Sequence, residues 1–140
     1  FHILFYFGFR RSEILGLKKT QINIAKGYVD VQGVWDAENN VYRSDTKNAG
    51  SKRKVHFDTA GRAAEVLKWI LDYSNKKYPA SDYVVAATRG NNPLSNFMFR
   101  KVVYATYEQL GMAKIKWEKS NNSHKFTIII NTCNDWLSLF

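Results

Sequence analysis

Two adjacent arginines, Arg10 and Arg11, lie in the segment GFRRSEILGL, between a glycine-broken apolar run and a second apolar pattern. The apolar residues between Ser12 and Leu17 predict a short helix that begins close to both arginines. Backbone N–H groups at the start of a helix are partly positive, so these groups and a guanidinium would together attract an anion such as a phosphate. The alternative interpretation is a solvated pair of surface arginines.

A second basic group follows in the segment RSDTKNAGSKRKV, which contains Lys47 and the run Lys52, Arg53 and Lys54. Side chains of this kind contact the backbone phosphates of a nucleic acid and give affinity without sequence readout. Here too, simple solvation of the run is the alternative.

The whole chain is basic, because its 140 residues contain 21 Lys and Arg against 12 Asp and Glu, a net charge of +9. Such a positive field makes DNA or RNA the first class of partner to test, although a generally basic surface would give the same totals. No apolar stretch reaches the roughly 18 residues that a membrane span needs. The single cysteine, Cys133, lacks a disulfide partner and a metal-ligand companion, which favours a reducing, cytoplasmic setting.

Hydrophobic periodicity predicts helices on both sides of a strand region. Two short helical segments meet at Gly8 and Phe9. A longer helix follows a cap at Asp58 or Thr59 and ends at Tyr78-Pro79. Its predicted inward residues share a helical spacing: Ala63, Val66, Leu67, Ile70 and Leu71.

A last helix is predicted after the short buried stretch DYVVA. It begins at Ser95 and stops at Gly111. Its predicted inward residues are Phe99, Val102, Val103 and Leu110.

Between Ala25 and Phe57 the pattern changes to strands: KGYVDVQGVW, NNVYR and RKVHF. Asn39-Asn40 and residues 48–51 supply the turns between them. The alternation of apolar and polar residues predicts a small antiparallel three-stranded sheet with one wet face, on which His56 would lie. The fold class is therefore α+β and mainly helical.

Three segments occur in the order found in tyrosine-type site-specific recombinases, the phage integrase family. Residues 8–14 (GFRRSEI) resemble the first arginine box of that family, Thr46-Lys47 resembles the tip of its β-hairpin, and residues 123–126 (SHKF) are similar to the opening of its His-x-x-Arg box. The chain thus resembles the catalytic domain of a mobile-element integrase, bacterial or phage-encoded, over residues 1–126.

The resemblance implies DNA integration and recombination, in which a tyrosine attacks a phosphodiester of double-stranded DNA without a cofactor. Arg10 matches the first arginine, whose planar guanidinium can donate two parallel hydrogen bonds to the oxygens that gain charge in the transition state. Lys47 matches the general acid to the departing 5′-oxygen, and His124 would assist proton transfer or hold the phosphate. A turn lysine and a loop histidine are the ordinary alternatives.

Further residues would contact DNA phosphates beside this group: Arg11, Arg43, Lys52, Arg53 and Lys54. Glu13 matches the first arginine box and is interpreted as a structural partner that fixes the arginine turn.

The resemblance breaks near the end of the chain. Thr127 stands where the family has its second arginine, and no tyrosine follows His124, so this chain alone is expected not to cleave DNA. We interpret residues 1–126 as a partial catalytic domain and residues 127–140 as a divergent tail left by a frameshift or premature stop. A natural variant whose isoleucines at 128–130 form a strand is the alternative.

Residue 1 is Phe, so the chain is expected to begin inside a longer protein. The absence of the family's final helices predicts exposed apolar patches and self-association.

A noncatalytic DNA-binding or regulatory module derived from the same fold is the alternative function. An RNA-binding protein would need exposed aromatic platforms, for which Tyr28, Trp35 and Tyr42 are the candidates.

Overall fold

The computed structural model describes residues 2–44, 52–88 and 91–109. Within these ranges the chain forms four α-helices: α1 (His2–Phe7), α2 (Arg11–Gly16), α3 (Arg62–Lys77) and α4 (Asn96–Gln109). Five strands lie between α2 and α3: β1 (Ile22–Asn23), β2 (Tyr28–Val31), β3 (Val34–Asp36), β4 (Val41–Arg43) and β5 (Arg53–His56). The α+β class is confirmed.

The predicted junction between two short helices is present at Gly8. Gly8 has a φ of +59°, a left-handed conformation that glycine adopts without steric cost, and its N–H donates to Leu4 O at 3.0 Å. This bond ends α1, and α2 begins three residues later at Arg11. The turn between them places Arg10 directly before the helix.

The strands form two separate sheets. One is three-stranded and antiparallel with the order β1-β2-β5, and the other is the β3-β4 hairpin. The sequence predicted a three-stranded antiparallel sheet but assigned its members differently: it joined β2 and β3 into one strand and missed β1. The turn at Asn39-Asn40 is confirmed, with Asn40 at a φ of 57°, whereas residues 48–51 lie outside the described ranges.

A glycine sets how closely the first helix pair approaches the hairpin. A Cβ on Gly16 would lie 2.8 Å from the backbone nitrogen of Trp35, closer than atoms tolerate. The absence of a side chain therefore lets the end of α2 lie directly against β3.

The core joins all these elements. Leu15 of α2, Val29 of β2 and Leu67 of α3 are almost fully enclosed, and Phe99 and Val103 extend the same cluster from α4. Burying each such side chain contributes about 1.5–3 kcal/mol, so this cluster fixes α2 against the sheet.

Two predictions about α3 and α4 are wrong. The N-cap of α3 is Gly61, because Asp58 instead closes the preceding turn by accepting the Ala60 N–H on its Oδ1 at 3.0 Å. In α4, Val102 is 50% exposed, because Phe99 and Val103 occupy the inward face one turn apart.

The end of α3 and part of its buried face agree with the predictions. α3 ends at Lys77, as the Tyr78-Pro79 pair predicts. Val66 and Leu67 are buried, which confirms the prediction for them. Ala63 is only half-buried, and its neighbour Ala64 is buried instead. Leu110 and Gly111 lie outside the described residues.

Candidate functional site

Arg10 occupies the N-cap of α2, where its backbone is extended (φ −67°, ψ 151°). Its carbonyl accepts the Ile14 N–H at 3.0 Å, and its own N–H donates to Glu13 Oε2 at 2.9 Å. The Arg10 side chain is 74% exposed, with Nη1 4.0 Å from Glu13 Oε1. The backbone of Arg10 is thus fixed while its guanidinium faces solvent. Because α2 has only six residues, its helix dipole adds little to the positive charge of the Arg10 guanidinium.

Glu13 is the buried centre of this turn, with a side chain only 2% exposed. The Arg53 guanidinium donates two hydrogen bonds to the Glu13 carboxylate, from Nη1 to Oε1 at 2.9 Å and from Nη2 to Oε2 at 3.1 Å. Burial alone would raise the pKa of Glu13, but the hydrogen bonds from Arg53 and the Arg10 backbone, with the charges of both arginines, lower it. Glu13 is therefore an anion at neutral pH, and it ties α2 to β5.

Arg53 and Lys54 lie on opposite faces of β5, because side chains alternate along a strand. Arg53 pairs in register with the buried Val31, on the core side of the sheet, and its guanidinium lies 5.8 Å from the Phe9 ring centre. Lys54 pairs with Asp30 on the other side. Successive side chains of a strand point to opposite faces, so the basic run is not one continuous patch.

The outer face of β5 is wet, as predicted. Lys54 Nζ lies 4.7 Å from the ring centre of Tyr28, within cation–π range, and the His56 ring meets the same tyrosine edge-on at 6.0 Å. Both Lys54 and His56 are exposed. Lys52, just before the strand, is exposed as well.

Arg43 already has a carboxylate partner. Its Nη2 lies 2.7 Å from Asp36 Oδ2 across the β3-β4 hairpin. Hydrogen bonds from Asn39 and Glu38, together with the charge of Arg43, lower the pKa of Asp36. Part of the positive charge of Arg43 is therefore neutralised within the protein.

Arg11 makes no ion pair with Glu13 and is half-buried. Its Nη1 is shielded from solvent and has no hydrogen-bond partner. Burial, and secondly the positive charge of Arg100 on α4, lower the pKa of Arg11. Sequence reasoning missed Arg100, because no spacing rule connects a helix-start arginine to a distant helix.

Two of the predicted catalytic residues, Lys47 and His124, lie outside the described ranges, as do Thr46 and Thr127. The structure brings together Arg10, Glu13 and Arg53. The link from Glu13 to Arg53 was not predicted from the sequence, although the i to i+3 spacing of Arg10 and Glu13 is the signal of a cap closed by a carboxylate.

The aromatic platform proposed for RNA is wrong at its central residue. Trp35 is 7% exposed and packs edge-on against Tyr83, with ring centres 5.5 Å apart. It is therefore part of the core.

Among the residues that the structure describes, no group of three or more His, Cys, Asp or Glu could hold a metal ion. Neither is any helix in those ranges both long and apolar enough to cross a membrane.

The sequence profile of the phage integrase family matches residues 1–127. Neither the curated proteins nor the solved structures gave a match. Because the profile match spans most of the chain, this protein belongs to the phage integrase family, the tyrosine-type site-specific recombinases.

Proposed function

We propose that this chain binds double-stranded DNA through the exposed side of the Arg10 turn, and that Arg10 holds the phosphate at which the family breaks and rejoins strands. The observation that carries the proposal is the buried Glu13 carboxylate, which fixes the Arg10 backbone and leaves its guanidinium exposed. A guanidinium carried on a backbone fixed in this way can reach a phosphate and stabilise charge that develops on its oxygens.

The roles of the other residues follow from the family membership and from the site. Lys47 is proposed as the general acid to the leaving 5′-oxygen, and His124 as its assistant in proton transfer or as a further phosphate ligand. Both roles rest on the matching motifs, since neither side chain lies in the described ranges.

The basic residues divide by their surroundings. Lys52 and Lys54 are exposed and suit contact with backbone phosphates. Arg43 shares its charge with Asp36, so any phosphate must compete with that carboxylate. Arg53 is bound to Glu13, and we assign it chiefly to positioning the turn.

The test of DNA binding is the affinity of the chain for a labelled duplex as a function of salt. Each protein–phosphate contact contributes about −0.9 to the slope of log K against log salt. Arg10→Ala should weaken binding at low salt and make the slope shallower by about that amount. Lys68→Ala, at an exposed position of α3, is a matched control that removes one positive charge elsewhere on the surface. Equal affinity of the Arg10→Ala variant and the unaltered chain would refute the assignment of Arg10.

A noncatalytic DNA-binding module is the second candidate, favoured by Thr127, which stands where the family has its second arginine. Covalent trapping on a nicked duplex separates the two functions. We expect salt-dependent binding without a protein–DNA adduct from these 140 residues. An adduct that survives denaturation would show that one of the earlier tyrosines acts as the nucleophile.

A further inference from the structure

Two aromatic side chains lie exposed on the outer face of α3. Trp69 is 62% exposed and Tyr73 is 49% exposed, and their rings stack with centres 5.7 Å apart and planes inclined by 21°. The core does not account for this pair, because Val66 and Leu67 already supply the buried side of the helix. Tryptophan and tyrosine are among the residue types that most often dominate the binding energy of protein interfaces.

α3 presents the aromatic pair on a fixed backbone. The inner side of the helix is buried through Ala64, Leu67 and Ser74. At its C-terminal end, Lys19 Nζ donates a hydrogen bond to Tyr78 O at 2.8 Å. A surface that is already held in one conformation loses little entropy when a partner binds.

Charged residues lie around the aromatic pair in a definite order. Helical spacing places Glu65 one turn before Trp69 and Lys76 two turns after it, while Lys68 and Asp72 flank the pair. All four charged side chains are exposed, and Lys68, Asp72 and Lys76 form no ion pair with another described residue. The outer face of α3 therefore has an acidic beginning, an aromatic centre and a basic end.

The aromatic centre matches itself when two copies of α3 pack antiparallel. If the two-fold axis passes between Ile70 and Leu71, Trp69 of each chain lies opposite the partner's Tyr73. Both rings are then covered twice in one dimer, since a two-fold axis repeats every contact. Stacked or edge-on aromatic contacts of this kind stabilise an interface beyond the area that they bury.

The charges match in the same register. Glu65 lies opposite the partner's Lys76, and Lys68 lies opposite the partner's Asp72, each to within one residue. Glu65 also contacts Arg62 in its own chain, but that pair is exposed and leaves the second carboxylate oxygen available. A parallel packing would instead place each charge against its own copy, which costs free energy.

We propose that the outer face of α3 is a homodimer interface, in which two chains pack their α3 helices antiparallel and stack Trp69 of each against the partner's Tyr73. The four charges around the pair cancel, so this face attracts a polyanion less than the chain as a whole, whose net charge is +9. α3 has 16 residues and is about 24 Å long, so the interface is small and the dimer weak.

Sedimentation velocity of the 140-residue chain without DNA tests the proposal, from about 5 to about 500 µM, the range in which small interfaces associate. The sedimentation coefficient should rise with concentration toward that of a dimer. Trp69→Ala should weaken dimerisation about 100-fold, because each dimer loses two central aromatic contacts. Phe97→Ala is the matched control, because it removes an aromatic ring that is 75% exposed on α4 and should leave dimerisation unchanged.

A charge exchange tests the antiparallel register. Glu65→Lys and Lys76→Glu each turn two attractive contacts of the dimer into repulsive ones, so each variant alone should dimerise about tenfold more weakly. An equimolar mixture of the two variants restores opposite charges at both contacts and should dimerise as well as the unaltered chain. Both positions are exposed, so neither substitution removes a core contact.

Three results would overturn the α3 interface. A chain that stays monomeric at every concentration has no such dimer, and shielding of Trp69 from iodide would then point to another segment of the same chain as the occupant. Dimerisation that survives Trp69→Ala but is lost in Phe97→Ala would move the interface to α4. Charge variants that fail to recover on mixing would exclude the antiparallel register. Because no DNA is present, each of these results leaves the assignment of Arg10 unaffected.

Discussion

Arg10 and Arg11 are neighbours in the chain, yet the protein surrounds them differently. A buried carboxylate holds the backbone of Arg10 and leaves its side chain in solvent. The side chain of Arg11 is half-buried, and its Nη1 is enclosed without a hydrogen-bond partner. The first arginine is thus held by a hydrogen bond at its backbone, whereas the second has an enclosed guanidinium nitrogen without a hydrogen bond.

The comparison shows that net charge is a poor guide to where a polyanion binds. Arg43 and Arg53 add as much to the total of +9 as Arg10 and Arg11 do, but both are bound to carboxylates within the protein. A phosphate gains most from cations that the fold has left uncompensated. The Glu13 cluster and the exposed Lys54 of β5 can therefore be perturbed separately, and the predictions below do so.

The largest effect is expected from Glu13→Ala. The substitution removes the acceptor of three hydrogen bonds, two from Arg53 and one from the Arg10 N–H. Hydrogen bonds to charged groups contribute about 1.5–3 kcal/mol each before rearrangement, and Arg53 can turn partly to water, so we expect a loss of about 2–3 kcal/mol in the free energy of unfolding. Urea denaturation monitored by tryptophan fluorescence measures it.

Glu65→Ala is the matched control for that measurement. Glu65 pairs with Arg62 in an exposed i to i+3 pair, which water and salt screen. We expect its unfolding midpoint to match that of the unaltered chain. Equal losses in the Glu13 and Glu65 variants would remove the distinction between the buried cluster and an ordinary surface pair.

A pH dependence of intermediate size follows from the same carboxylate. The pKa of Glu13 is lower in the folded protein than its ordinary value of 4.5, so its contribution to stability is fully present above pH 4.5 and is lost as the pH falls through the lower, folded-state value. The unaltered chain should therefore lose stability on acidification from about pH 6 to about pH 3 more steeply than Glu13→Gln. Urea midpoints at a series of pH values measure both slopes. Parallel slopes would mean that Glu13 is not the titrating group.

Local rules predicted the parts of this molecule that short segments determine. The junction at Gly8, the arginines at the start of α2 and the end of α3 at Lys77 each depend on a few consecutive residues. The sequence did not predict the division of the strands into two sheets or the bond of Arg53 to Glu13. Each of these depends on which face of an element meets a distant one, and periodicity alone leaves that choice open.

The smallest effect on stability, and the sharpest test of strand alternation, comes from comparing Arg53→Lys with Lys54→Ala. Lysine keeps the charge of Arg53 but cannot form two parallel bonds to Glu13, so Arg53→Lys should lower the free energy of unfolding by about 1 kcal/mol and leave the salt slope of DNA binding unchanged. Lys54 is exposed over Tyr28, so Lys54→Ala should leave the unfolding midpoint nearly unchanged and make the salt slope shallower by up to about 0.9. Measuring both quantities for both variants gives opposite patterns if the two faces of β5 are distinct. If both variants shift only the salt slope, Arg53 serves DNA rather than Glu13 in solution, and the buried carboxylate no longer explains how Arg10 is held.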